Sequence, residues 1–280
     1  MINLILAVLC SAGVSIFMRA SETYCRGKYG ILLMNYAVCV IAGLLTTGKN
    51  LGHIGEAGTM TAVGFGVVTG LLYCGAFILL QWNVRKNGVI LSSTFMKLGV
   101  IVPSALAVLW FGEKPGWNQG IGLLIAVVAI LLINLEKGAV RTGGSSKAGL
   151  VLLLLGGGLG DAMAKFYDAY GKTSFGSFFL MLSFLVSGVI SGLLVARNRE
   201  RITKNEILFG VLIGIPNYFS ARFLLWALAD VPAVIAYPTY SIAAMAVIGV
   251  VGVILFKEKL TKKQWTAYGM VILAVGLLNM

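Results

Sequence analysis

The sequence predicts an all-α integral membrane protein of ten transmembrane helices, arranged as two inverted five-helix repeats. Three observations carry that prediction: a composition too apolar for an aqueous fold, ten apolar runs of membrane-crossing length, and a polar register shared by the two halves of the chain. Of 280 residues, 59% are hydrophobic and 11% are charged, and the mean hydropathy is +0.93. Soluble domains carry roughly 25% charged residues, so the solvent for most of this surface is lipid. The 36 glycines fit helices that approach one another closely in a bilayer.

A hydrocarbon layer of roughly 30 Å needs about 20 helical residues to cross it. Runs of suitable length and hydropathy lie near 2–18, 30–47, 60–82, 88–111 and 117–135 in a first repeat, 1–135. A second set lies near 149–166, 174–195, 207–228, 232–255 and 264–279 in a second repeat, 149–280. The segment 136–148, EKGAVRTGGSSKA, reads as a solvated linker within one structural unit. The first run begins at Ile2 with no basic segment ahead of it, which reads as a retained helix rather than a cleaved signal. Cys10, Cys25, Cys39 and Cys74 show no CxxC spacing, so neither a disulfide framework nor a metal site is expected.

The duplication is legible in the register. FGEKPGWNQGIGLLIAVVAILLIN from Phe111 aligns without a gap on FKEKLTKKQWTAYGMVILAVGLLN from Phe256, an offset of 145 residues. Glu113 meets Glu258, Lys114 meets Lys259, Gln119 meets Gln264 and Asn134 meets Asn279. The same offset pairs Leu79 and Leu80 with Leu224 and Leu225, Val89 and Ile90 with Val234 and Ile235, and Thr94 with Thr239. Two unrelated apolar segments do not hold polar positions in step over such a length.

Five spans per repeat is an odd number, so the second repeat enters the membrane upside down. The loop charges follow that inversion. Arg19, Arg26 and Lys28 stand against Asp168 and Lys172; Lys49 stands against Arg197, Arg199, Arg201 and Lys204. Arg85 and Lys86 stand against Asp230, and Lys114 against Lys257, Lys259, Lys262 and Lys263. Basic loops collect on the cytoplasmic side, which puts both termini on the opposite side of what is expected to be the plasma membrane. The net charge of +12 is therefore an orientation signal and not a nucleic-acid footprint. Trp82, Trp110, Trp117 and Trp265 fall near span ends and suit interfacial anchoring.

Two halves that each end in an F-x-E-K turn, followed by a glutamine, an apolar run and a terminal asparagine, resemble the drug/metabolite transporter superfamily, in particular its EamA-type branch. The resemblance implies a ten-helix, alternating-access secondary transporter with a central cavity and a small polar metabolite as substrate. Lys97, in TFMKLGVIVPSALAVLWFGEK, is placed like the fourth-span lysine of the related nucleotide-sugar and sugar-phosphate carriers. In four-helix relatives an acidic residue of the first span couples cation export to protons. The first span here has none, and its counterpart in the second half has Asp161.

Charges within spans are the candidate functional groups, because each costs roughly 2.5–3.5 kcal/mol on insertion scales unless it meets a partner or water. Lys97 lies near the middle of its span, with Ser93 one turn before it and Ser104 two turns after it, while Pro103 frees the carbonyl of Gly99; substrate contact competes with a structural pair to a carboxylate such as Asp161. Asp161 is a substrate or proton-coupling candidate. It stands four residues from Lys165, so a local ion pair is an equally good reading. Arg222 follows Pro216, Asn217 and Tyr218 in a broken span, about 9 Å from the span's end at about 1.5 Å per residue, so site and snorkelling anchor compete. Tyr237 and Tyr240 flank Pro238 and suit either ligand contact or packing. Asn35 and Tyr36 in the second span are weaker candidates. GGGLG at 156–160 lacks a following GK[ST] and reads as close helix packing.

Lys97 and Arg222 together favour an anionic or zwitterionic metabolite. The alternative is a proton-coupled exporter of organic cations or drugs, with Asp161 as counter-charge. A membrane-embedded lipid-head-group enzyme fits poorly, since the only histidine, His53, stands in a loop and no catalytic cluster is visible. A channel fits poorly too, because rings of repeated polar residues are absent from the sequence. No cofactor, metal or nucleic acid is expected. The expected partners are the metabolite, the bilayer, and protons or a counter-substrate.

Overall fold

The computed structural model describes residues 1–25, 27–48, 58–87, 89–135, 146–255 and 261–280. Most of the linker, the loop with His53 and Glu56, and the second F-x-E-K turn lie outside the described residues, as do the side chains of Ser93 and Asn134. Eleven α-helices run through what is described: α1 (Ile2–Tyr24), α2 (Lys28–Thr47), α3 (Thr59–Asn87), α4 (Val89–Leu98), α5 (Ile101–Leu109), α6 (Trp117–Leu135), α7 (Lys147–Tyr170), α8 (Gly176–Asn198), α9 (Lys204–Asp230), α10 (Ala233–Leu255) and α11 (Lys262–Leu278). Seven of them are long and apolar enough to cross a membrane. Helices α4 and α5 share the fourth predicted span, so eleven helices correspond to ten spans. Several helices overrun their apolar runs: α1 continues to Tyr24 and α7 to Tyr170, carrying Asp168 inside the helix rather than in a loop. Backbone hydrogen bonding continues into the hydrated layer after the apolar signal has stopped.

Two compact units divide the chain, Met1–Cys74 with Met163–Ala229, and Gly75–Ala162 with Asp230–Met280. Each draws helices from both sequence halves; two boundaries fall inside α3 and α7 and the third before the last residue of α9.

In the first unit α2 packs against α8, its counterpart in the repeat. A Cβ on Gly43 would fall 2.7 Å from Cβ of Met181, and one on Gly188 would fall 3.4 Å from Cβ of Tyr36. Gly43 and Gly188 are equivalent at the 145-residue offset, and so are Tyr36 and Met181. The contacts are thus reciprocal, as across a two-fold axis. From Tyr36 to Gly43 the chain rises along α2 while its partners run from Gly188 down to Met181, so the two helices are antiparallel. Ser187 of α8 donates to the carbonyl of Gly70 at 3.0 Å, and Gly210 and Gly214 of α9 lie against Met34 and Val38 of α2 with no room for a side chain. Small residues bring these backbones together where the hydrophobic effect supplies no drive.

One end of this unit brings Gly27, Tyr29 and Gly30 against Glu200 and Glu206. The Glu200 carboxylate accepts from the amides of Tyr29 and Gly30, each at 3.0 Å, closing the N-terminus of α2. Glu206 accepts from the Gly27 amide at 3.3 Å and the Thr203 amide at 2.9 Å. A cavity of about 600 Å³ lies there, its lining including Tyr24, Arg199, Arg201 and Asn205. Burial, then the Glu206 carboxylate, pushes the Cys25 thiol above its ordinary range, so it is protonated at neutral pH and a weak nucleophile.

In the second unit α6 packs against α11, again its repeat counterpart. A Cβ on Gly122, early in α6, would lie 3.1 Å from the amide of Leu278 at the end of α11, so this pair also runs antiparallel. Glu113 caps α10, accepting from the amides of Ala233 at 3.0 Å and Val234 at 2.9 Å. Gln264 and Thr261 form a capping box at the start of α11, and Gln119 accepts from the Gly116 amide at 3.0 Å at the start of α6. At the far end of α11, Asn279 donates to the Thr239 hydroxyl of α10 at 3.2 Å.

Candidate functional site

The charged groups singled out by the sequence fall in both units, and each set is built from its own neighbours. In the second unit the fourth span is broken. Pro103 has no amide to offer the Gly99 carbonyl, which accepts instead from Val102 at 2.9 Å. Gly99 and Val100 donate to the carbonyls of Met96 and Lys97, three residues back. The helix ends at Leu98 and restarts at Ile101. The break is seated on α7: a Cβ on Gly158 would lie 2.4 Å from the Gly99 oxygen, so only glycine allows this approach.

Lys97 occupies the last turn of α4, where the negative end of the helix dipole favours a cation. Three residues beyond Gly158, one turn further along α7, comes Asp161. Both side chains are exposed although both stand well inside their spans. Among the described residues neither forms an ion pair within 4 Å. The local alternative for Asp161 is taken elsewhere, since Lys165 pairs with Asp168 at 3.4 Å. Tyr237 is 2% exposed and its hydroxyl donates to the Asp161 carbonyl at 2.8 Å, fixing α10 to α7 at the level of the carboxylate. Tyr240 lies one turn further along α10, half-buried. Ser104, beyond the break, is buried and donates to the Val100 carbonyl at 3.0 Å.

In the first unit Asn35 is 3% exposed and accepts from Asn217 at 3.2 Å, joining α2 to α9 just after Pro216. Tyr36 and Tyr218 are buried, and both rings pack on Phe184. The Tyr218 hydroxyl bonds Thr46 of α2 and accepts from Nη1 of Arg222 at 3.3 Å. The Arg222 guanidinium lies over the ring of Trp226, 4.6 Å from its centroid. Residues of the same turn, Leu225, Trp226 and Ala229, line a cavity of about 190 Å³ together with Tyr167 and Asp168.

Sequence reasoning missed Thr46 and Trp226. Trp226 was within reach of it, four residues after Arg222 on one helix face. Thr46 was not, because its bond to Tyr218 joins residues on separate helices.

The EamA-like transporter family model matches residues 1–135 and 148–280. A protein of Haemophilus influenzae, described as uncharacterized, is 23% identical over 275 residues, 94% of this chain and 92% of its own length. A crystal structure of a protein covers 99% of this chain and 94% of its own at a TM-score of 0.80 and 10% identity, which shows the fold alone. The chain belongs to the EamA-like transporter family, and it is a multi-pass integral membrane protein.

Proposed function

We propose that this transporter is a secondary carrier of a small anionic or zwitterionic metabolite, working by alternating access across the plasma membrane. The observation that carries the reading is the pair Lys97 and Asp161: opposite charges well inside spans, exposed, and near enough to feel each other's field without an ion-pair contact within 4 Å. A charge facing hydrocarbon is costly, so exposed charges at this depth argue for water or substrate against them. Discontinuous helices are also where carriers build midplane sites, and the break here follows directly on Lys97. In this reading Lys97 receives an anionic group and Asp161 a cationic group or a proton, with Tyr237 and Tyr240 as supports in the same unit; in the first unit Arg222 is a further candidate contact, with Asn217, Tyr218, Asn35 and Tyr36 around it.

The inverted arrangement of the repeats is part of the proposal. Two antiparallel pairs of counterpart helices support it, and so do the bonds from the Gly27, Tyr29 and Gly30 amides to Glu206 and Glu200, which join the two basic segments at one end of the first unit. The positive-inside bias then places the termini outside the cytoplasm.

The test is counterflow into proteoliposomes with a panel of labelled metabolites, comparing wild type with Lys97→Ala and Asp161→Ala. The expected result is saturable flux of an anion or zwitterion, lost in Lys97→Ala. Flux of organic cations alone, abolished by Asp161→Ala and driven by a proton gradient, replaces the reading with cation export. Flux that rises linearly with concentration removes the carrier altogether.

A further inference from the structure

Arg222, Tyr218 and Trp226 are spaced four residues apart on α9, so their side chains share one face of the helix. A chain of hydrogen bonds orients the guanidinium. Thr46 Oγ1 donates to the Ala42 carbonyl at 2.8 Å, and a hydroxyl has one proton to give. The Tyr218 hydroxyl therefore donates to Thr46 and accepts from Arg222. Trp226 holds one face of the guanidinium.

The protein satisfies only part of this guanidinium. An arginine offers five N–H groups. Here Nη1 bonds Tyr218, Nε is buried with no acceptor, and among the described residues no aspartate or glutamate pairs with the side chain. The guanidinium loses by this, because its desolvated Nε has exchanged water for nothing. A stacked guanidinium with a free edge is a geometry that matches the two oxygens of a planar anion.

We infer that Arg222 is a carboxylate-binding site. A carboxylate of a small organic anion or zwitterion accepts from the N–H groups that Tyr218 leaves unused, and an apolar or aromatic portion packs on Trp226. The cavity beside Trp226, Leu225 and Ala229 offers room for that portion; its own carboxylate, Asp168, is already held by Lys165. The inference deepens the carrier reading and rests on it for the purpose of the site, but binding is measurable without transport.

The experiment is equilibrium binding to the full chain in detergent, read as a dose-dependent rise in Tm and a fitted Kd. The probes are phenylacetate and benzoate, each matched with its neutral amide. The expected result is stabilisation of wild type by the carboxylates and none by the amides. Arg222→Gln weakens binding roughly tenfold or more. Arg222→Lys weakens it as well, since a point charge lacks the planar fork. Tyr218→Phe keeps the charge, releases its orientation, and weakens binding by about threefold to tenfold.

Each variant's own melting transition and elution volume establish that it is folded, and the lysine and phenylalanine variants serve if the glutamine variant is not. Carboxylates that fail to stabilise wild type, amides that bind equally well, or wild-type affinity in a folded Arg222→Gln each overturn the site. Flux undiminished by Arg222→Gln removes the site and leaves the carrier. Carboxylate binding in wild type without flux of any labelled compound removes the carrier and leaves the site.

Discussion

The polar residues that the two halves share and the polar residues they do not share behave differently. Shared positions are seen at helix ends and between helices. Gln119 and Gln264 both reach back to the residue before their helix, and Glu113 caps α10. Asn279 is bonded to Thr239, and both of these residues repeat in the other half. Unshared positions carry the embedded charges: at the 145-residue offset Lys97 faces Ile242, Asp161 faces Ile16, Arg222 faces Phe77 and Asn217 faces Leu72. A fold built twice needs its caps and ties twice. In the proposed carrier, groups that occur once suit a substrate that is not itself symmetric.

The comparison can be broken most directly by making the halves alike. Lys97→Ile and Asp161→Ile each install the residue of the opposite half and are expected to cut saturable flux by on the order of a hundredfold, with little change in Tm, because each removes a costly embedded charge but also the other's electrostatic partner. Loss of folded protein, seen as aggregation in size-exclusion chromatography, would place these charges among the structural residues instead.

Gly158→Ala comes next. Its Cβ meets the Gly99 oxygen at 2.4 Å, and a cost of about 1–3 kcal/mol in thermal or denaturant unfolding is expected. Wild-type stability there would mean that the α4–α5 break tolerates displacement. Glu113→Ala leaves two amides of α10 without their acceptor, for an expected loss of about 1–2 kcal/mol. Partial recovery by Glu113→Gln separates the lost acceptor from the lost charge. The smallest effect is assigned to Asn279→Ala, about 0.6 kcal/mol, the typical value of an interhelical hydrogen bond in a bilayer protein. Thr239→Val should then add nothing in the double variant, and additive losses would dissolve the pair.

Much of this was legible along the chain. Apolar runs located the helices because bilayer thickness sets a length that composition must meet. The repeat was visible because polar matches inside apolar segments are rare. The candidate charges stood out for the same reason: a charge in such a run is exceptional. The break at Leu98–Ile101 was half visible, since Pro103 announces a missing bond but not which neighbour will use the gap.

The sequence by itself determined that this chain lives in a membrane, is helical and duplicated, and carries Lys97, Asp161 and Arg222 within its spans. These properties follow from local composition and spacing. Only the tertiary structure decided which charges have partners. Lys165 turns to Asp168 and leaves Asp161 to the field of Lys97, Asn217 is taken up by Asn35, and Arg222 is oriented through Tyr218 by a threonine on another helix. Those outcomes depend on contacts between residues far apart in the chain, where hydrogen-bond capacity is fixed by residue type but the choice of partner is fixed by packing.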